Sequence, residues 1–323
     1  MDAADQTLEL ISQQVASTYT PGVLQGLGAF GGLFELPGGY RQPVLVASTD
    51  GVGTKVMVAS ELDALEGAGR DLVNHCLNDI LVQGAAPLFF LDYVASSKLN
   101  PAATARLVTG VAEACRAAGM ALLGGETAEM PGVYQAGEFD LVGTIVGIVE
   151  KDAVVDGSSV RSGDVLLGLP SGGLQTNGFS LARAVLGGTY QEPFVAAGPG
   201  TVGAALLAPH RSFLSQVRPL LAAGLVKGMA HITGGGLPGN LPRCLPAGLG
   251  AVVRRGSWPE PPIFELIKRR GAVAEAEMFD VFNMGIGFVL VVAPSDVARA
   301  RELAGSELFE IGLVEPGAGV RLV

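Results

Sequence analysis

Hydrophobic positions along this chain change period several times, and each change marks an element. Pro43 to Ser48 (PVLVAS), Pro87 to Ala95 (PLFFLDYVA), Met120 to Leu123 and Phe139 to Val149 are short apolar runs bounded by turn residues, which predict strands, the first of them buried. Gln6 to Ala16 and Pro101 to Ala118 carry helical spacing, and Asp71 to Gln83 places Leu72, Val73, Cys76, Leu77, Ile80 and Leu81 on one face before Gly84. The resulting order of strand, helix, strand, helix and strand predicts an α/β fold. Glu150 to Asp164 is poor in core residues and marks a domain boundary, giving domains 1–152 and 153–323. The second half opens on a strand, Val165 to Leu169, and Met278 to Val292 runs from a polar turn into another. No internal repeat is present.

Polar chemistry collects where the strands end. After PVLVAS comes TDGVGTK, Thr49 to Lys55, in which Gly51 and Gly53 admit close backbone approach, Asp50 suits a magnesium ion and Lys55 suits a phosphate oxygen. A tight turn with a surface lysine is the plain alternative, and the spacing of a P-loop is absent. GGETAEMPG, Gly124 to Gly132, repeats the theme directly after Met120 to Leu123. On the helix between them, Asn74 with Asn78 and His75 with Asp79 form one polar stripe at i, i+4, and Asp79 within an apolar turn favours a metal or phosphate role over a solvated face.

In the second half, Ser171, Gly172 and Gly173 offer backbone N–H groups, and a helix is expected to begin within Thr176 to Ser180. HITGGGL, His231 to Leu237, is a second N–H-rich loop, with helix capping as its alternative role. Gly26, Gly28 and Gly31 match a dinucleotide fingerprint by letter, but no strand precedes them, so they suit a lid over a nucleotide better than a Rossmann site.

A length of 323 residues accommodates two domains, and 47 glycines with 16% charged residues describe a loop-rich, folded chain. The net charge of −10, with no basic cluster, argues against a nucleic-acid surface. Mean hydropathy is high at +0.42, yet no apolar run approaches the ~18 residues of a membrane helix, so the hydrophobicity belongs to a core or a subunit interface. Cys76, Cys115 and Cys244 are odd in number and widely spaced, and they suit reduced thiols in a cytoplasmic protein without a secretory signal.

Taken in order, TDGVGTK (49–55), LVNHCLNDILVQGAAPLFFLDY (72–93), GGETAEMPG (124–132), TNGFSL (176–181), HITGGGLPGNLPR (231–243) and FNMGIG (282–287) closely resemble the phosphoribosylformylglycinamidine cyclo-ligase, or AIR synthetase, family. The resemblance implies ATP-dependent ring closure of formylglycinamidine ribonucleotide to aminoimidazole ribonucleotide, in purine biosynthesis. It also implies a homodimer whose N-terminal mixed sheets pair, with a C-terminal mixed-sheet domain flanked by helices. ATP and Mg2+ are the expected cofactors and a phosphoribosyl compound the expected substrate.

On that resemblance Asp50 and Asp79 are expected to hold magnesium. Lys55 is expected to touch the transferred phosphate, and Gly51, Gly53, Thr54, Gly124, Gly125, Glu126 and Thr127 to line the nucleotide site. Ser171, Asn177, Thr233, Gly234, Gly235 and Gly236 are assigned to the substrate's ribose phosphate, and His231 to proton transfer. The chain departs from the family pattern at Ala16, where a basic residue is usual, at Gln175, where His is usual, at Gly239, where Glu is usual, and in starting late. A small-molecule kinase of the same superfamily and a non-catalytic nucleotide-binding paralogue are the rival readings.

Overall fold

A computed structural model of the chain describes residues 3–196, 198, 200–305 and 307–323. Met1 and Asp2, on which the expectation of an internal start falls, lie outside them. The chain divides into two units, the first built from residues 1–81 and 85–154 and the second from 82–84 and 155–323.

The first unit contains α1 (Ala3–Ala16), β1 (Val23–Gln25), β2 (Leu33–Phe34), β3 (Pro43–Gly51), α2 (Lys55–Glu61), α3 (Leu65–Leu81), β4 (Ala86–Ser96), α4 (Pro101–Ala118), β5 (Ala121–Glu129) and β6 (Phe139–Glu150). Four strands form one sheet in the order β3-β6-β4-β5. Because β6 runs antiparallel to both its neighbours while β4 and β5 are parallel, β3, β4 and β5 all finish at the same end of the sheet. The register lines up Asp50, Gly143, Asp92 and Gly125 in a single row across all four strands.

Helix α3 packs on β3 and β6, and α4 on β4 and β5. The two helices touch backbone to backbone: a Cβ on Gly69 would run into the Leu107 carbonyl, and one on Gly110 into the Glu66 carbonyl. Local signals hold α4 to the bounds its sequence predicts. Asn100 caps the Ala103 N–H, Pro101 takes the first turn, and Gly119 closes the helix at φ 71°.

The expectation that Pro43 to Ser48 is a buried strand fails. Strand β3 extends to Gly51 and alternates between half-buried and exposed residues, with Leu45 55% exposed. It is an edge strand, and Leu45 lies on the face that the helices leave open.

The second unit comprises β7 (Val165–Pro170), α5 (Phe179–Leu186), α6 (Val202–Leu206), α7 (Leu214–Ala222), β8 (Val226–His231), α8 (Gly236–Asn240), β9 (Leu249–Val253), α9 (Pro262–Gly271), α10 (Glu275–Val281), β10 (Ile286–Val292), α11 (Val297–Ala304), β11 (Phe309–Pro316) and β12 (Val320–Leu322). Its mixed sheet runs β12-β9-β11-β7-β10-β8, parallel only between β12 and β9. Every residue of β10 is buried, as its unbroken apolar run requires. The polar turn expected at Met278 is the last part of α10.

The α3–α4 contact leaves no room for a side chain. Gly110→Val is expected to lower unfolding free energy by about 1–3 kcal/mol or more, through overpacking, measured by urea denaturation; an unchanged midpoint would show that the helices separate freely.

Candidate functional site

The polar stripe of α3 faces inward. Asn78 and His75 are buried, and Asp79 is part-buried. Residues 48 and 50 of β3 share the face that meets this helix. The Ser48 hydroxyl donates to Asp79 Oδ2 at 3.0 Å, and His75 Nε2 lies 2.8 Å from Asp50 Oδ2 and 3.7 Å from Asp79 Oδ2. Since an ionised carboxylate only accepts, His75 must donate from Nε2. Burial is the largest influence on the His75 pKa and lowers it, but the Asp50 hydrogen bond and the charges of Asp79, Asp50 and Asp71 together raise it above its ordinary value. Asp50 also accepts the Gly51 N–H at 2.7 Å.

Asp50, His75 and Asp79 can each place a ligand atom within 4.8 Å of the others. Two carboxylates and a serine hydroxyl form a hard oxygen donor set, of the kind that suits Mg2+. The two acids expected to hold magnesium are therefore brought together, and His75 and Ser48 join them.

Beyond Asp50 the chain turns over Val52, which is fully buried with its N–H on the Leu141 carbonyl, and Gly53 takes φ 64°. That conformation favours glycine. Thr54 precedes α2, whose first residue is Lys55. Lys55, expected to touch the transferred phosphate, is 1% exposed, with Nζ 2.6 Å from Asp71. The ammonium is engaged by a buried carboxylate of α3.

GGETAE, expected to follow a strand, lies within β5. Gly124 to Thr127 therefore occupy the sheet edge opposite β3, three strand spacings or roughly 14 Å from Asp50, in matching register. A Cβ on Gly125 would strike the Asp92 carboxylate. Burial pushes Asp92 up to about 7, although part of the residue reaches the surface. Gly124, Gly125 and Glu126, with the glycine loop 26–32 and residues 91–93, line a cavity of about 400 Å3. The three glycines set aside as a Rossmann signature thus border the same space as the second strand-end motif.

In the second unit, β7 and β8 both flank β10 in antiparallel register, so the loops leaving them emerge beside its first residues. Ser171 has no exposed surface, and its hydroxyl donates to the Asn283 Oδ1 and Gly173 carbonyl region at 2.9 and 2.8 Å. It shapes the loop from within. Asn283 does the same from the other side. Its Nδ2 donates to the Gly173 and Leu174 carbonyls at 3.0 and 3.1 Å, and its Oδ1 accepts from the Gly285 N–H at 2.8 Å.

The glycine loop 234–236 wraps around Asn240, whose Nδ2 reaches the carbonyls of Gly234 and Gly236 at 3.1 and 2.9 Å, while Thr233 Oγ1 donates to its Oδ1 at 3.2 Å. Gly235 and Gly236 take positive φ, and a Cβ on Gly236 would strike the Phe279 carbonyl. Asn177 Oδ1 lies 3.3 Å from where a Gly234 Cβ would stand, so the two loops adjoin. Helix α5 starts at Phe179, within the segment expected for it.

His231 closes β8, buried and 3.3 Å through Nε2 from His210 Nε2. His210, in turn, reaches Thr176 Oγ1 through Nδ1 at 3.2 Å. Gln175, buried with φ 61°, immediately precedes this threonine. An imidazole therefore stands next to the position where the chain carries Gln. Asn283 and Asn240 sit inside motifs already visible as FNMGIG and HITGGGLPGN, while His210 has no sequence signal.

Two family models match the chain: the N-terminal domain of AIR synthase related protein over residues 37–149, and its C-terminal domain over 161–323. The chain belongs to the AIR synthase family. Phosphoribosylformylglycinamidine cyclo-ligase of Myxococcus xanthus is 52% identical over 99% of this chain and 94% of the relative. The protein of that name from Picosynechococcus is 47% identical over 99% and 96%. Among solved structures, E. coli HypE aligns with TM-score 0.71 at 16% identity over 99% of this chain and 93% of the other. Thiamine-monophosphate kinase of Stenotrophomonas maltophilia aligns with TM-score 0.70 at 16% identity over 97% and 95%. At such identity these structures establish a shared fold.

Removing one partner of a buried ion pair strands the other charge. Lys55→Met is expected to cost about 3–5 kcal/mol of stability, and Lys55→Met with Asp71→Leu to recover most of it. Chemical denaturation of both variants checks this; a fully stable single variant would mean that the ammonium is not needed to neutralise Asp71.

Proposed function

We propose that the chain catalyses ATP-dependent closure of formylglycinamidine ribonucleotide to 5-aminoimidazole ribonucleotide, releasing ADP and phosphate, as a step of purine biosynthesis in the cytoplasm. The observation that carries this is identity near 50% with curated cyclo-ligases along nearly the whole of both chains. An amide oxygen is a poor leaving group, so its phosphorylation must precede attack by the amidine nitrogen. Phosphoryl transfer of this kind depends on positioning and charge neutralisation.

Asp50 and Asp79 hold Mg2+ in this reading, with Ser48 and His75 orienting the carboxylates. When bound, the ion neutralises phosphate charge. The backbone of Gly51, Gly53 and Thr54 approaches the phosphates, and Gly124, Gly125 and Glu126 border the nucleotide in the cavity they line with loop 26–32, with Thr127 next to them on β5. In the second unit, Asn177, Thr233 and Gly234 to Gly236 receive the ribose phosphate, on loops that Ser171, Asn283 and Asn240 hold in shape. His231 serves the proton traffic of ring closure. A homodimer completes the proposal, because Leu45 and Met57 leave exposed apolar surface on the first unit and a second copy would cover it.

Incubation with ATP, Mg2+ and formylglycinamidine ribonucleotide is expected to release ADP and an aminoimidazole together. A stable phosphorylated product without ring closure would favour a kinase, and nucleotide binding without turnover a non-catalytic paralogue. Asp79→Asn is expected to lower kcat at least ~100-fold by removing a ligand charge, with the folded state retained. Chelation of Mg2+ should abolish the remaining activity, and unimpaired turnover in Asp79→Asn would remove that residue from the mechanism.

A further inference from the structure

Phe30 stands in the middle of the glycine loop 26–32 and is fully exposed, while also lining the cavity of about 400 Å3 that this loop borders. A phenyl ring in that position gains by being covered, because its apolar area leaves water. The loop is built to let it move. Its two ends are pinned: the Leu27 N–H donates to Tyr19 Oη at 2.7 Å, a Cβ on Gly26 would strike the Tyr19 ring, and one on Gly32 would strike Leu123. Between the pins the chain stands clear. Gly28 takes φ 96°, and a Cβ on Gly28 or Gly31 would meet nothing within 4 Å, so glycine torsions on both sides of Phe30 are free to swing the ring.

The cavity beneath has a definite chemistry. Its floor is the sheet face that the helices leave open, where Leu91 and Tyr93 of β4 stand in register with Gly124 and Glu126 of β5 and with Thr144 and Val142 of β6. Gly124 adds no side chain, which leaves the floor level beside Leu91. Among the residues lining the cavity the charged ones are Asp92 and Glu126, both acids. A triphosphate would be repelled there, whereas a flat uncharged ring fits. At one edge Thr144 Oγ1 shares a hydrogen bond of 2.8 Å with Thr49, the residue before Asp50, so the cavity adjoins the strand that carries the proposed ion site.

We propose that Phe30 is the base-stacking residue of the nucleotide site: the loop folds on its pinned ends and lays the ring against one face of the purine base, whose other face rests on the sheet. The phosphates then extend towards the glycine turn after Asp50. Stacking uses the π-face of a base and not its hydrogen-bonding edge, so Phe30 contributes affinity and leaves the choice of base to other groups. The inference rests on reading this cavity as the place of the nucleotide.

The test compares MgATP with magnesium tripolyphosphate, which carries the same phosphates and no base, by calorimetry on wild type, Phe30→Ala and Phe30→Trp. Phe30→Ala is expected to weaken ATP roughly 5- to 100-fold, the range that stacking one base on an aromatic ring covers, with tripolyphosphate affinity unchanged. KM for ATP should rise in step while kcat stays within a few-fold, and Phe30→Trp should restore binding. The chain has one tryptophan, Trp258, which is buried, so quenching of the new fluorophore in Phe30→Trp by ATP, and not by tripolyphosphate, reports the stack directly. Equal loss of ATP and tripolyphosphate in Phe30→Ala would mean that the ring merely supports the loop, and would overturn the proposal. So would an unchanged ATP affinity, and a change of oligomeric state accompanying it would assign the ring to a contact between copies. Wild type that binds no ATP would overturn both this inference and the proposed function, whereas ATP binding unmoved by Phe30→Ala overturns this inference alone.

Discussion

Helix α3 carries polar residues on a face that the sheet buries, and most of the first unit is arranged around that constraint. A buried charge has to be paired and hydrogen-bonded. His75 and Asp79 meet that requirement through Asp50 and Ser48 of β3, and Asp71 meets it through Lys55 of α2. The glycine contact between α3 and α4 brings the two helices backbone to backbone on the sheet. The two acids that remain near one another after this pairing are the same two whose oxygens suit a magnesium ion. The hydrogen bonds that satisfy these groups and the oxygens that suit an ion therefore belong to one cluster, with His75 between the two carboxylates.

The second unit solves a different problem. Its loops are rich in glycine, and glycine by itself supplies freedom, not shape. Two asparagines provide the shape from inside: Asn283 ties the segment after β7, and Asn240 ties the glycine loop after β8. Each occupies carbonyls of its loop, while the Gly236 N–H turns back to the Thr233 carbonyl and the Gly173 N–H to Ser171 Oγ. His210 then joins the two loops through Thr176 and His231.

Much of this was legible in the residues. The bounds of α4 were readable because Asn100, Pro101 and Gly119 signal both ends locally. The motifs at 49–55 and 124–132 were correctly seen as neighbours of strand ends, but their polar residues hid the fact that Thr49 to Gly51 and Gly124 to Glu129 continue the strands themselves. Periodicity sees apolar runs, and a strand end that carries ligand groups has none. The ion pair of Lys55 was not legible, because its partner Asp71 lies on the next helix and only the fold brings them together. His210 was invisible for a similar reason. A lone histidine in an irregular segment has no pattern, and its meaning comes from the two loops it touches.

The most direct test of the account is where a metal binds. Crystals grown with Mn2+ in place of Mg2+ and a non-hydrolysable ATP analogue allow the ion to be located from its anomalous signal. The account predicts a peak bonded to carboxylate oxygens of both Asp50 and Asp79. A fully occupied peak that neither residue touches would contradict it.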